Sequence, residues 1–202
     1  DHHVAFELDV HLTKDGVSVV CPDSEPQRVT GKAGLIEHLT LHEIKPHYRL
    51  LDGEEIPTFQ EVLNLTKEQV PMVIELKVYE KNYAPLAKRL KEELSGIQEK
   101  KNYLLISFDP RALWKMKGTG IIRQLLVATS SEWTYCFRHT VESLDLEDKM
   151  TKEKRVQRYQ KKHLVNVWTI ETEDQLKQVT PYCDTVTFQY LDPDTVKKAL
   201  HS

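Results

Sequence analysis

Glu7 and Asp9 stand two residues apart in the run Phe6-Glu7-Leu8-Asp9-Val10, and Glu75 and Lys77 repeat the spacing in Ile74-Glu75-Leu76-Lys77-Val78. Residues two apart in an extended strand project from the same face, so each pair projects together. Charges placed in otherwise apolar strands are costly unless they bind something. Three converging carboxylates make a hard-oxygen ligand set suited to Mg²⁺ or Ca²⁺, and a neighbouring lysine can neutralise a bound phosphate. A metal held there would act as a Lewis acid and orient a phosphoryl oxygen. The alternative for either strand alone is ordinary alternation with a solvated charged face. Like spacing on two strands favours a site.

Positioning these groups requires strands whose ends converge. Val4 to Val10 alternates as a strand should, Lys14-Asp15-Gly16 supplies a tight turn, and Val17 to Val20 forms a second short run. From Cys21 to Glu55 the chain reads as irregular and polar, and Pro57-Thr58 opens a helix. Strand signals follow at 70–78, 103–108, 121–128, 164–169 and 184–188, with helical stretches at about 83–95, 110–117, 151–162, 172–179 and 193–200. Mostly apolar strands separated by such helices are the signature of parallel βα units. The expected fold is therefore α/β, a TIM-type (β/α) barrel or most of one, in which the site lies at the C-terminal strand ends. Residues 130–150 break the rhythm: Trp133 to His139 is a weak short strand, and one unit is degenerate or missing there. No linker or repeat divides the sequence, so 1–202 reads as one domain.

Composition narrows the classes. With 28 Lys plus Arg against 31 Asp plus Glu, the net charge of -3 argues against a nucleic-acid partner. No apolar run is long enough for a transmembrane helix, and Asp1-His2-His3-Val4 carries no signal-peptide pattern. The compartment stays open: the sequence leans toward the cytoplasm, and an upstream segment would open secreted or membrane-attached placement as alternatives. Cys21, Cys136 and Cys183 have no Cys-x-x-Cys spacing and read as isolated thiols. Asn64-Leu65-Thr66 is a glycosylation triplet inside a predicted helix, where chance accounts for it.

The run Phe6-Glu7-Leu8-Asp9-Val10-His11-Leu12-Thr13-Lys14-Asp15-Gly16-Val17 resembles the Glu-Leu-Asp-Val-x-Leu-Thr-Lys-Asp-Gly motif of the glycerophosphodiester phosphodiesterase family, within the phospholipase C-like phosphodiesterase barrels. The resemblance continues in family order through Arg28-Val29-Thr30-Gly31, Gly53-Glu54-Glu55-Ile56-Pro57-Thr58, Ile74-Glu75-Leu76-Lys77, Ser107-Phe108 and Val167-Trp168-Thr169. It implies a metal-dependent barrel hydrolase that cleaves a glycerophosphodiester to an alcohol and a glycerol phosphate, in lipid and glycerol metabolism. By the same resemblance Glu7, Asp9 and Glu75 correspond to the metal carboxylates, with Mg or Ca as the divalent cofactor. Lys77 would contact the phosphate and Trp168 would line the glycerol-side pocket; core packing is the alternative for Trp168.

The sequence departs from the family at its proton-transfer groups. The family's opening strand ends in His-Arg-Gly, whereas this sequence starts at the following strand, and His2 and His3 precede the wrong strand for that role. The second family histidine falls in a His-Asp pair; here Pro22-Asp23 stands at that place, and proline cannot carry a proton. His38, His42, His47 and Cys21 are the substitutes within reach along the chain, none placed near the carboxylates by its spacing. Thr187-Phe188 replaces a family Thr-Asp or Thr-Asn, and an aromatic side chain there is expected to plug the barrel mouth. Three functions follow: a phosphodiesterase, weak or inactive in this chain; a non-catalytic relative binding a metal or phosphate; and a structural or interaction domain. No residue of this sequence is an intact catalytic histidine by the resemblance.

Overall fold

A computed structural model describes residues 4–201, and His2 and His3 lie outside the described residues. Eight strands form one sheet: β1 (Phe6–Leu12), β2 (Ser18–Val20), β3 (Met72–Leu76), β4 (Tyr103–Ser107), β5 (Ile122–Val127), β6 (Ser143–Glu147), β7 (Val165–Ile170) and β8 (Thr185–Phe188). Their order is β2-β1-β3-β4-β5-β6-β7-β8. β2 returns antiparallel to β1 through a turn in which Gly16 takes a φ of 81°, a left-handed conformation that favours glycine. All other neighbours are parallel, as the βα rhythm predicts. The curled sheet is an incomplete barrel: β2 covers only the C-terminal half of β1, and among the described residues no strand joins β8 to β1.

On β1 and β3 alternation divides each strand between an outer apolar layer and an interior that carries the charges, while Ile106 of β4 and Leu126 of β5 make part of the interior apolar. Leu8, Val10 and Leu12 of β1 and Met72, Ile74 and Leu76 of β3 are buried in the main core. That core also takes Leu86, Ala87, Leu90 and Leu94, one stripe of the helix α4 (Tyr83–Leu94). The intervening positions face the barrel lumen and carry the charges. Because the outer layer is closely packed, Leu105→Ala on β4, a fully buried site, should cost about 2–5 kcal/mol. Urea denaturation measures this, and a loss near zero would contradict the packing.

The polar stretch 21–55 is more ordered than its composition suggests. It contains two helices, α1 (Gln27–Thr30) and α2 (Leu41–His47), and its own small core of Val19, Cys21, Ile36, Ile44 and Ile56. α2 is started by a reciprocal cap in which Thr40 and Glu43 satisfy each other's backbone N–H groups. The same device at Thr58 and Glu61 starts α3 (Phe59–Thr66), so Pro57-Thr58 precedes the helix rather than lying in it.

The unit at 130–150 is thinned in its helix, not in its strand. Thr129–Thr140 is a kinked 3₁₀ segment in place of the expected strand at Trp133 to His139, and β6 lies within the acidic run beyond it. The remaining helices, α5 (Pro110–Lys115), α6 (Lys154–Gln160), α7 (Glu173–Val179) and α8 (Pro193–Leu200), occupy the predicted places. None of the described helices is long and apolar enough to cross a membrane.

Candidate active site

Parallel pairing of β1 with β3 sets Asp9 directly opposite Glu75, and Glu7 lies one pleat below Asp9 on the same face. One carboxylate oxygen from each of the three lies within 4.8 Å of the others. Lys77, at the end of β3, places Nζ 3.0 Å from Asp9 Oδ1 and 3.0 Å from Glu75 Oε1. The groups brought together by sequence spacing are thus brought together in space. Asp23 is not among them: it ion-pairs with Arg28 at 2.8 Å.

One ammonium does not neutralise three carboxylates. Burial, then the Asp9 and Glu75 charges, push the Glu7 carboxyl up to about 8, even though part of Glu7 remains open to solvent. Burial, with Asp9 adding to it and Lys77 opposing it, pushes Glu75 up to about 7. The carboxylates in turn raise Lys77 against the lowering effect of its own burial. Asp9 Oδ1 is buried and faces Lys77 without a directed hydrogen bond. Crowded oxygen donors, carboxyls that hold their protons for want of positive charge, and an under-satisfied buried oxygen are what the ligand set for a hard divalent cation presents on its own, so the residues fit one.

Trp168 lines the same cavity as the cluster, together with Phe108, Asp145 and Thr187. Its indole N–H donates to the Asp145 backbone carbonyl at 3.2 Å, and its ring meets Phe108 edge-on at 5.7 Å. Ser107 is a structural residue, its buried hydroxyl donating to the Leu76 carbonyl at 2.8 Å. Phe188 does not plug the mouth. Alternation turns Thr187 into the lumen and packs Phe188 against the outer core.

Two polar groups escaped the sequence reading. Asp145 is fully buried on β6, accepts from Asn166 Nδ2 at 2.7 Å, and is pushed by burial up to about 7. His11 continues the two-residue spacing Glu7-Asp9-His11, the signal by which it could have been found. It is buried, with Nδ1 2.7 Å from Glu37 Oε1 and Nε2 without a partner among the described residues. Pro22 is exposed just beyond β2. His38 packs edge-on against Tyr79 at 5.6 Å, while His42 and His47 are exposed on α2. No described histidine lines the carboxylate cavity. Cys21 is buried and its thiol is raised, chiefly by burial, so it is not an activated nucleophile.

The model of the glycerophosphoryl diester phosphodiesterase family matches residues 2–187. The chain belongs to that family. A glycerophosphodiester phosphodiesterase of Bacillus altitudinis is 33% identical over 111 residues, 51% of this chain and 45% of that protein. The chain thus spans about half the length of that curated relative. An Oleispira antarctica phosphodiesterase, solved in complex with the product sn-glycerol-3-phosphate, superposes with a TM-score of 0.81 at 24% identity. That match covers 100% of this chain and 87% of the other. A glycerophosphodiester phosphodiesterase from Thermotoga maritima superposes at 0.73 with 24% identity, covering 96% and 83%. These likenesses establish the TIM-type barrel; at such identities they carry the fold alone.

Proposed function

We propose that the chain is a metal-dependent phosphodiester hydrolase domain that takes a glycerophosphodiester and yields an alcohol and a glycerol phosphate. The observation that carries this is the Glu7, Asp9 and Glu75 cluster at the lumen end of two parallel strands, with Lys77 against it. The three carboxylates would hold Mg²⁺ or Ca²⁺, which when bound supplies Lewis-acid polarisation of a phosphoryl oxygen. Lys77 would bind another phosphoryl oxygen, and Trp168 would wall the glycerol side of the cavity. The relative that binds sn-glycerol-3-phosphate supports a small phosphate-bearing ligand.

Turnover is expected to be slow. With no histidine among the described residues of the cavity, general acid–base assistance worth factors of ~10²–10⁴ is missing there. The same observation, with Pro22 at the family histidine place, favours a second reading: a domain that binds a divalent metal or phosphate without turnover. Glycerophosphocholine hydrolysis, with added Mg²⁺ or Ca²⁺ and then with chelator, separates the two when paired with calorimetry of metal and of inorganic phosphate. Chelator-sensitive release of glycerol phosphate supports the hydrolase, binding of metal or inorganic phosphate without release supports the second reading, and binding of neither defeats both.

Lys77 gives a finer test. In the protein without metal its ammonium stands where positive charge is needed, so it competes with a cation for Asp9 and Glu75. Lys77→Met should tighten divalent-metal binding about tenfold while weakening inorganic phosphate binding by a similar factor, since the nearby positive charge is gone in both cases. Calorimetry with each probe reads the two shifts, and movement of both in the same direction would contradict the assignment.

A further inference from the structure

Two further cavities continue outward from the carboxylate cavity, over β4 and α5. The first, about 570 Å³, shares Glu75, Lys77 and Phe108 with the carboxylate cavity and is walled further out by Pro110, Trp133 and Phe137. The second, about 370 Å³, meets the first at Pro110, Arg111 and Phe137 and runs on to Trp114. The groove is therefore continuous from the cluster to the outer face of α5. Trp114 is 59% exposed and Trp133 67%, large apolar side chains left in water beside a concave surface. Contiguous exposed aromatic surface of this kind marks a binding site more often than a scatter of single residues does.

The groove is built from two elements. Pro110 and Trp114 come from α5, one turn apart. Trp133 and Phe137 come from the 3₁₀ segment that replaces a regular helix, and their rings meet edge-on at 6.2 Å. Charge then discriminates between occupants. The Arg111 guanidinium lies 4.4 Å over the Tyr83 ring, and Lys115 Nζ lies 5.5 Å from the Trp114 ring centre. In the outer cavity the Tyr83 and Trp114 faces thus already carry cations, and a cationic head group would meet like charge there. The inner cavity also carries Glu75, Glu80 and Asp109, of which Glu75 is paired with Lys77 and Asp109 with Arg111. A neutral hydrocarbon chain long enough to pass the charged inner cavity meets no like-charge repulsion in the outer one and covers the exposed Trp114 and Phe137 rings.

We propose that this groove binds the apolar tail of the alcohol esterified to glycerol phosphate, so that the substrates are glycerophosphodiesters of long-chain alcohols. The inference rests on the hydrolase reading, which sets glycerol on the Trp168 side. Phe108, edge-on against Trp168, lines both cavities, whereas Trp168 lines only the carboxylate cavity, so the groove is left for the other ester. In the reaction, water oxygen bonds to phosphorus and the bond from phosphorus to the alcohol oxygen breaks. One water proton leaves with the long-chain alcohol, and glycerol phosphate retains the new oxygen.

The test is a series of synthetic glycerophosphodiesters of ethanol, butanol and octanol, all below their micellar concentrations, with glycerophosphocholine alongside. Hydrolysis is followed in Mg²⁺ or Ca²⁺, and binding is followed by calorimetry so that affinity is read whether or not turnover occurs. Affinity and kcat/KM should rise about tenfold or more from the ethyl to the octyl ester, and in Trp114→Ser with Phe137→Ser the rise should fall below about threefold. Both replaced residues are exposed or half-exposed, and circular dichroism checks that the fold is kept. A flat series, a preference for glycerophosphocholine over the octyl ester, or a rise that survives in the variant overturns the groove. So does a chain-length effect present only with micelles or phosphatidylcholine vesicles, which points to a membrane surface instead. If nothing is hydrolysed but affinity still climbs with chain length, the groove stands and the hydrolase reading falls. If all esters are hydrolysed alike, the hydrolase reading stands and the groove falls.

Discussion

Replacing Glu75 by Gln is expected to weaken Mg²⁺ or Ca²⁺ binding by about 10²-fold and to abolish any metal-dependent hydrolysis, because the buried member of the three-carboxylate set loses its charge. The substitution keeps the side-chain volume, so the packing of β3 between β1 and β4 is preserved. The pH dependence makes the expectation specific. Burial and neighbouring carboxylates raise Glu75 to about 7 and Glu7 to about 8. Below those values each holds a proton that an incoming cation must displace. Wild-type affinity should therefore rise with pH, by about tenfold per unit for each proton displaced, and level off once both groups are ionised. In Glu75→Gln one of those protons is absent, so the slope should fall by about one well below pH 7 and by about half that at neutrality. Calorimetry in buffers of different ionisation enthalpy counts the protons directly. Equal affinity and equal proton release in the two proteins would remove Glu75 from the site.

What the sequence made legible, and what it did not, has a common physical cause. Glu7, Asp9, Glu75 and Lys77 could be read because strand periodicity is rigid: once β1 and β3 are strands, their charges must share a face. The hairpin at Lys14-Asp15-Gly16 was equally legible, since its glycine takes a positive φ in the turn. β6 was not. Ser143-Leu144-Asp145-Leu146-Glu147 does alternate, but its charged members make the unit read as degenerate or missing, because the polar lumen that receives them exists only once the sheet has curled. The short helices α1 and α2 were missed for a different reason. They are held by end caps and a small local core, not by a long apolar stripe that periodicity could detect. For Phe188 the expectation weighed residue type ahead of direction, and alternation along β8 assigns the lumen to Thr187 instead. His11 obeys the same two-residue rule as Asp9, but its partner Glu37 comes from the stretch after β2, a contact that strand periodicity does not encode.

The polar lumen has a second consequence, in stability. Asp145 is fully buried, and burial raises its carboxyl from 3.8 to about 7 against the lowering effect of the Asn166 hydrogen bond. Between those values the native state holds a proton that the unfolded chain releases. The native state is therefore favoured at the acid end of this window, and the advantage is lost as pH rises through about 7. Over the full window the change is on the order of 4 kcal/mol for this one group. Asp145→Asn removes the titration while keeping an acceptor for Asn166 Nδ2 and leaving the backbone carbonyl that Trp168 uses. At about pH 4 the two proteins should melt together, because both then carry a neutral group at the position. At about pH 8 the variant should melt higher by about 8–16 °C, since only the wild type must ionise a buried carboxyl. Glu7 and Glu75 are raised in the same direction, so the melting temperature of the variant should still decline somewhat with pH, but with the Asp145 share gone. Added divalent metal separates the two contributions, because it holds Glu7 and Glu75 ionised and leaves Asp145 outside the ligand set. In saturating metal the pH-dependent gap between wild type and variant should persist; if metal closes the gap, Asp145 answers to the cluster and not to burial alone.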